Sequence, residues 1–305
     1  MLSRNIFTTF INAGKISAAL CLLLLACTFS PANAQDYALG SEGIKAASIP
    51  GPGFYYVMYN QYYFSDQFRD SSGDKIDNSP EIKTFANVHR FIWMTKKKFL
   101  GADYGMNLII PAVYADIQTT AGNDDTFNIG DTTIEPLTLA WHGKRYDAVF
   151  GVAMYLPTGE YSKSDLANTG SDHYTLMTTS GVTFYPDEEK LWSISVLGRH
   201  EKHFENRELD ITYGDDLNLE WGIGRIIGTF DVGVSGYAHW QVTDDSGSDV
   251  SWDKSVHDKK FGIGPEINAF VPMINGQIKV KYYKEFDSKD STEGNALWMT
   301  FSTKL

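Results

Sequence analysis

Cysteine is almost absent from this chain, and long apolar runs are absent after residue 34. Its two cysteines, Cys21 and Cys27, both lie in the first 34 residues, so a chain that loses this segment has no thiol. Thiol catalysis, disulfide bonds and cysteine-ligated metals are thereby excluded from the remainder. Basic residues are also scarce, because 26 Lys and Arg stand against 38 Asp and Glu and give a formal net charge of -12. An acidic chain without clustered basic and aromatic residues repels phosphate backbones, which disfavours nucleic acid as a partner.

The first 34 residues predict a secretory signal peptide. Arg4 and Lys15 make the amino-terminal part positive, an apolar run follows at residues 16–29, and small residues end at Ala34. The apolar run is too short to cross a bilayer as a helix, which takes roughly 20 residues. A lipobox-like sequence offers an alternative in which Cys27 becomes the first, lipidated residue of the mature chain. We therefore expect an exported protein cleaved after Ala34, with lipidation at Cys27 as the open alternative.

Apolar residues recur at every second position along most of the remaining chain, which is the period of a β-strand. Between residues 229 and 240 one face carries Phe230, Val232 and Val234. The opposite face carries Asp231 and Ser235. Mean hydropathy along such a strand looks like that of a soluble protein, because lipid-facing and lumen-facing residues cancel. The pattern predicts an all-β fold, namely an antiparallel transmembrane up-and-down β-barrel of about 12 strands.

The predicted strands are joined by connections that alternate in length. The strands are 53–65, 82–95, 100–116, 130–142, 145–156, 172–186, 190–203, 211–225, 228–243, 258–272, 276–286 and 293–305. The short connections are 95–100, 143–144, 186–190, 226–227 and 272–276, and the long ones are 66–81, 117–129, 157–171, 204–210, 244–257 and 287–292. We expect the basic run at residues 96–98 to lie in a turn. Short periplasmic turns and long extracellular loops are typical of outer-membrane barrels, whose even strand number returns both chain ends to the periplasm.

Aromatic residues and the final strand agree with a membrane barrel. The chain has 7 Trp, 17 Tyr and 18 Phe, many of them near predicted strand ends, where aromatic girdles meet the lipid-water interface. An aromatic core inside a soluble barrel is the alternative. In the last strand Leu297, Met299 and Phe301 share a face with Leu305. This resembles the carboxy-terminal signal for the barrel-assembly machinery, although the last residue is usually Phe rather than Leu.

If the barrel encloses a conduit, the polar faces of its strands should line it. The candidate residues on these faces are Asp147, Tyr155, Ser193, Ser195, Glu220, Asp231, Tyr237, His239, Glu266, Lys279, Lys281 and Tyr283. Opposed carboxylates and lysines can form an electrostatic filter, and they can equally form a salt-bridge network that supports the wall. Arg90 is ambiguous, because His89 and Arg90 cannot both face inward on a regular strand.

The expected organisation is a signal peptide at 1–34, a lumen or periplasmic segment at 35–52 and a barrel at 53–305. The passage 35–52 is rich in Gly and Pro and lacks a regular period, so it could lie in the lumen or cover the periplasmic mouth. Twelve strands fall between eight, where side chains fill the interior, and sixteen, where water passes. A narrow, partly obstructed conduit is the expectation.

Enzymatic signatures are missing from the sequence, so we assign no catalytic residue, metal or cofactor. There is no Gly-x-Ser-x-Gly elbow, and His200 and His203 would face opposite sides of a strand. The acidic pairs lack the spacing of a calcium loop, and no glycine-rich phosphate loop is present. A barrel hydrolase acting on lipids, with His142 or His239 as candidates, and a non-transporting surface barrel remain as alternatives.

Two passages resemble the meta-pathway phenol degradation family. The first is EGIKAASIPGPGFYY at 42–56, followed by YNQYY at 59–63, and the second is YLPTGEY at 155–161, followed by LANTGSDHY at 166–174. The resemblance implies an outer-membrane channel or transporter linked to uptake of small hydrophobic or aromatic compounds. The expected partners are a small hydrophobic solute, outer-membrane lipid and lipopolysaccharide, and the barrel-assembly machinery.

Overall fold

The computed structural model describes residues 37–305 of the chain. The signal peptide, its cleavage after Ala34 and the alternative lipidation at Cys27 lie outside the described residues. No helix within residues 37–305 is both long and apolar enough to cross a membrane.

Between residues 37 and 305 the chain forms fifteen strands and one short 3-10 turn. The strands are β1 (Gly53–Ser65), β2 (Phe68–Arg69), β3 (Glu81–Phe99), β4 (Ala102–Gln118), β5 (Asn123–Ile129), β6 (Thr132–His142), β7 (Tyr146–Leu156), β8 (Thr175–Phe184), β9 (Trp192–His203), β10 (Asp216–Ile227), β11 (Phe230–Gln241), β12 (Lys259–Val271), β13 (Gly276–Lys289), β14 (Ser291–Thr292) and β15 (Asn295–Lys304). The 3-10 turn, Pro272–Ile274, joins β12 to β13.

Twelve of these strands form one closed antiparallel barrel, as the sequence predicted. Each pairs with its neighbours in the order β3, β1, β15, β13, β12, β11, β10, β9, β8, β7, β6 and β4, and β3 pairs with β4 to close the ring. The other three lie in the long connections: β5 extends β4 as a hairpin, and β2 pairs with β14. Closure leaves the twelve-stranded ring without an unpaired edge, which is what lipid requires of a spanning sheet.

Side-chain exposure alternates along the strands as the period-2 pattern requires. On β11 the outward Phe230 and Val234 are 46% and 43% exposed, whereas the inward Ser235 and His239 are buried. On β9 the outward Trp192 also remains exposed. A soluble protein buries its apolar residues, so an exposed apolar outer wall around a polar interior identifies a surface made for lipid.

The structure corrects several connections in the sequence prediction. Ile226 and Ile227 belong to β10, and the turn is instead at residues 228–229, where Gly228 has a φ of 63°. A left-handed φ costs glycine little, which is why the reversal falls there. Residues 211–215 lie before β10, and 96–98 lie in β3 beside a register shift between Met94 and Lys98. Because this irregularity absorbs extra residues, the strand continues through the basic run.

Candidate lumen site

Residues 37–49, here called the lumen segment, lie inside the barrel ahead of β1. Ile44 and Ala47 are almost fully buried. Ile44 packs on the inner face of β10, where a Cβ added to Gly222 would lie 2.8 Å from the Ile44 Cα and one on Gly224 would lie 2.6 Å from Cγ2. Glycine at these two positions lets the backbone of the segment approach the wall closely.

The carboxylate of Glu42 joins two distant parts of the barrel wall. Arg90 of β3 donates to Glu42 Oε1 at 3.0 Å, and Arg199 of β9 donates to the same oxygen at 3.3 Å. Both guanidinium groups are buried. Since β3 and β9 lie nearly opposite one another in the ring order, Glu42 links the two walls across the interior.

Carboxylates of the wall accept hydrogen bonds from backbone N–H groups of the lumen segment. Glu220 Oε2 accepts from Glu42 N at 3.0 Å and from Gly43 N at 3.1 Å. Glu266 Oε2 accepts from Ile44 N at 2.8 Å. These charge-assisted bonds satisfy donors that are buried without a helix or sheet partner.

Lysines of the wall supply the complementary donors. Lys281 Nζ donates to the carbonyl oxygen of Ser41 at 2.6 Å, and Lys279 Nζ donates to that of Glu42 at 2.9 Å. In the opposite sense, Lys45 of the segment donates to Asp231 Oδ2 at 2.7 Å. The wall therefore presents both signs of charge to matching groups of the segment.

An aromatic cluster adjoins the charged wall residues that bind the lumen segment, which are here together called the seat: Arg90, Arg199, Glu220, Asp231, Glu266, Lys279 and Lys281. It contains Tyr37, Leu39, Tyr59, Ala153, Tyr155, Met177, Tyr237, Tyr283, Ala296 and Trp298. The rings of Tyr237 and Tyr283 meet edge to face at 5.2 Å between centroids. Their hydroxyl groups bond to Glu285 at 2.9 Å and Ser235 at 2.8 Å, so apolar ring faces and polar tips are both fixed.

Most of the sequence-predicted lumen residues meet around the lumen segment. Glu220, Asp231, Glu266, Lys279 and Lys281 bond to it directly, Tyr155, Tyr237 and Tyr283 belong to the aromatic cluster with Tyr37, and Ser195 donates to Gly43 O at 3.4 Å. Ser193 is buried on the same face of β9 as Ser195.

Two of the predicted residues lie towards the ends of the barrel. Asp147 is near the short-turn end, where the Tyr185 hydroxyl lies 2.5 Å from Asp147 Oδ2 and 3.0 Å from Ser48 Oγ of the lumen segment. His239 lies near the long-loop end, and its contacts are with Asn218, Asp216 and Asp258. A role for any of these residues in a solute path stays a prediction.

Sequence reasoning left the direction of Arg90 open and missed Arg199. Arg90 points inward, and the ambiguity with His89 is resolved because the His89 ring contacts Tyr56 instead, with Nδ1 at 2.6 Å from its hydroxyl. Arg199 follows from extending the inward face of Ser193 and Ser195 by two more steps along β9. That signal was present, but a basic residue beside His200 gave no reason to single it out.

Comparison with known proteins places the chain in a family. The family model described as the MetA-pathway of phenol degradation matches residues 65–301. The chain belongs to this family. Among solved structures, an outer-membrane channel from Pseudomonas putida is similar to this phenol-degradation family member, with a TM-score of 0.75 and 14% sequence identity. The alignment covers 88% of this chain and 100% of the channel. At that identity the likeness concerns the fold.

Two solved autotransporter barrels are similar to this family member to a lesser degree. The beta domain of the Bordetella autotransporter BrkA has a TM-score of 0.45 and 11% identity, covering 84% of this chain and 100% of its own. The translocator domain of NalP from Neisseria meningitidis has a TM-score of 0.48 and 8% identity, covering 85% and 91%. No curated protein sequence matches the chain. With its closed barrel and apolar outer wall, this family member is an outer-membrane protein.

Proposed function

We propose that this protein is an outer-membrane channel for small hydrophobic or aromatic molecules, and that the lumen segment obstructs it at rest. The observation that carries the proposal is the position of the segment inside the barrel, where it contacts β3, β9, β10, β12 and β13. A solute that crosses the interior therefore needs the segment to shift. Contacts made through single side chains, rather than through sheet pairing, allow such a shift without opening the barrel.

The aromatic cluster supports the class of solute. A phenol-like molecule has an apolar ring with one polar group. The cluster is buried while Tyr37 and Leu39 of the segment pack in it, and a shift of the segment would free ring faces beside fixed hydroxyl and carboxylate groups. Tyr63 and Tyr237 both donate to Glu285, at 2.8 and 2.9 Å, so an acceptor stands at the edge of the rings. Aromatic pairs gain about 0.5–1.5 kcal/mol beyond the burial of their area, which favours aromatic over aliphatic solutes of equal size.

The test compares ion conductance of the full-length mature protein in planar bilayers with that of Arg199→Gln. This substitution removes the charge that contacts Glu42 and the ring of Tyr37, over which the guanidinium lies at 4.0 Å. We expect more frequent and larger openings, which phenol or toluene reduces. Arg225→Gln is the matched control, because Arg225 lies over the Trp192 ring, 5.0 Å away, on the outward face.

The outcomes separate the alternatives. Equal conductance of both variants and the wild type would contradict obstruction by the lumen segment. Silence of all three proteins, with folded barrels on gels, would favour a non-transporting surface barrel. Openings that aromatic solutes leave unchanged would retain the channel and reject the solute class.

A further inference from the structure

A second buried polar cluster lies at the long-loop end of the barrel, apart from the lumen segment. Asp216 begins β10, His239 lies near the end of β11, and Asp258 directly precedes β12. The strand register sets them side by side, because His239 pairs with Asn218 of β10 and with Lys260 of β12. All three side chains are buried.

Their ligand atoms converge on one point. His239 Nε2 lies 3.0 Å from Asp258 Oδ1 and 4.0 Å from Asp216 Oδ1. One nitrogen and two carboxylate oxygens all lie within 4.8 Å of one another. In a tetrahedral site with metal-ligand bonds near 2.0–2.1 Å the ligand atoms stand about 3.3 Å apart. Coordination would therefore bring the Asp216 oxygen closer to the other two ligand atoms and slightly widen the gap between His239 and Asp258.

The hydrogen-bond network fixes which nitrogen of His239 faces the carboxylates. Glu201 Oε2, which as a carboxylate only accepts, receives the amide N–H of Asn218 at 2.8 Å. The Asn218 oxygen therefore points at His239 Nδ1, 2.7 Å away, and accepts its proton. This leaves Nε2 directed at Asp216 and Asp258, in the arrangement by which an outer partner orients a metal-binding histidine.

Two buried carboxylates lie beside Nε2 of His239, and Asp216 also contacts Nε2 of His203 at 3.2 Å. A cation between the two carboxylates would offset their charge. An imidazole nitrogen with two carboxylate oxygens is a donor set suited to Zn²⁺ and related first-row ions, whereas Ca²⁺ takes 6–8 oxygen ligands. The donor set therefore discriminates between the two kinds of divalent ion.

The cluster has room for a further ligand and a route from solution. A cavity of about 20 Å³ is lined by His203, Asp216 and Asp258, among others, and roughly 10–15 Å³ suffices for one water. Asp258 and Gln241 also line an open recess of about 490 Å³ at the same end of the barrel. An ion can reach Asp258 through this recess.

We propose that Asp216, His239 and Asp258 bind one divalent transition-metal cation of the Zn²⁺ type, with water in the cavity as the fourth ligand. The ion ties the extracellular ends of β10, β11 and β12 together. Nothing in this proposal depends on what passes through the barrel.

The test is calorimetric titration of the EDTA-treated, folded full-length mature protein with ZnCl₂, and separately with CaCl₂. We expect one Zn²⁺ per chain and no comparable Ca²⁺ binding. Co²⁺ in place of Zn²⁺ should give visible absorption bands typical of tetrahedral coordination. His239→Asn should weaken Zn²⁺ binding by more than about tenfold, since loss of even an outer-shell partner costs 10–100-fold.

His142→Asn is the matched control, because His142 also faces two carboxylates, Asp147 at 3.2 Å and Asp103 at 3.8 Å, but at the short-turn end. It should bind Zn²⁺ as the wild type does. If His239→Asn does not form a heat-modifiable barrel, Asp258→Asn replaces it, and the same loss is expected. Absence of Zn²⁺ binding by the wild type, or equal binding by all variants, would overturn the proposal and leave His239 as a protonated partner of the two aspartates.

Discussion

At the scale of single residues, Glu42 makes ion pairs that hold the lumen segment in place. One carboxylate oxygen faces both Arg90 and Arg199, whose guanidinium groups are buried. Without Glu42, two buried cations would face each other across the interior with fewer counter-charges. Removal of one partner from a buried ion pair costs about 3–5 kcal/mol, because the remaining charge is left uncompensated.

Glu42→Gln is expected to unseat the lumen segment. The neutral amide keeps the shape but removes the charge, so the seated state loses stability relative to a displaced one. Single-channel recording should show a several-fold larger open fraction. Glu188→Gln provides the control, since Glu188 pairs with Arg145 at 3.2 Å but its side chain is 83% exposed, and exposed pairs contribute at most about 1 kcal/mol. An unchanged open fraction in Glu42→Gln would show that this carboxylate does not hold the segment.

At the scale of elements, the lumen segment follows a path that favours glycine at residue 43. Gly43 has a φ of 74°, and a Cβ there would lie 2.0 Å from Glu266 Oε2. Left-handed backbone at a non-glycine residue costs of order 1–3 kcal/mol, and the clash disturbs the carboxylate that accepts from Ile44 N. Backbone strain and contact with Glu266 are therefore two independent reasons that favour glycine at this point.

Gly43→Ala should release the segment far enough for trypsin to cut after Lys45. Mass spectrometry of a digestion time course would measure the rate of that cleavage. Gly51→Ala is the matched control, because a Cβ on Gly51 meets no atom within 4 Å. We expect faster cleavage in Gly43→Ala than in the wild type and no change in Gly51→Ala. Equal rates in all three proteins would contradict a requirement for glycine at residue 43.

The strands were predictable from sequence because their signal is local. Lipid outside and polar groups inside impose alternation on each strand by itself, and the predicted bounds of the first strand, 53–65, agree with β1. The prediction was wrong at 226–227, where two adjacent isoleucines break the alternation at the end of β10 and resemble a strand end. The preceding Gly222 and Gly224 weaken the inward signal there because they carry no side chain.

The seat was less predictable because it depends on contacts between distant parts of the chain. Alternation indicates that Glu220 faces inward, but not that it accepts from residues 42 and 43. Glu42 itself lies in a passage without a period, so no pattern singles it out. The partners of Arg90 and His89, Glu42 and Tyr56, lie outside β3, so the sequence of β3 alone does not show which of the two residues faces inward.

At the scale of the whole molecule, the outer wall is a solvent-exposed apolar band that only a bilayer stabilises. Met299 lies midway along β15 with 51% exposure, and Leu305, 72% exposed, ends the chain next to the short-turn end. An outward arginine costs about 2–4 kcal/mol at the bilayer midplane but only about 0–1 kcal/mol near the interface. The cost of a charge should therefore report depth in the membrane.

Met299→Arg is expected to destabilise the folded barrel by about 2–4 kcal/mol and Leu305→Arg by about 0–1 kcal/mol. Equilibrium unfolding by guanidinium in lipid vesicles measures both free energies under the same conditions. Equal losses in the two variants would contradict the placement of β15 across the bilayer.

The position of the lumen segment in the chain has a consequence for the order of folding. The segment precedes every strand, yet Lys279 of β13, which donates to Glu42 O, lies 237 residues away. Contacts of such separation bear the largest loop-closure entropy and depend on prior pairing of the strands between them. We therefore expect the lumen segment, although it is synthesised before the strands, to reach its final position last, after the barrel has closed around it.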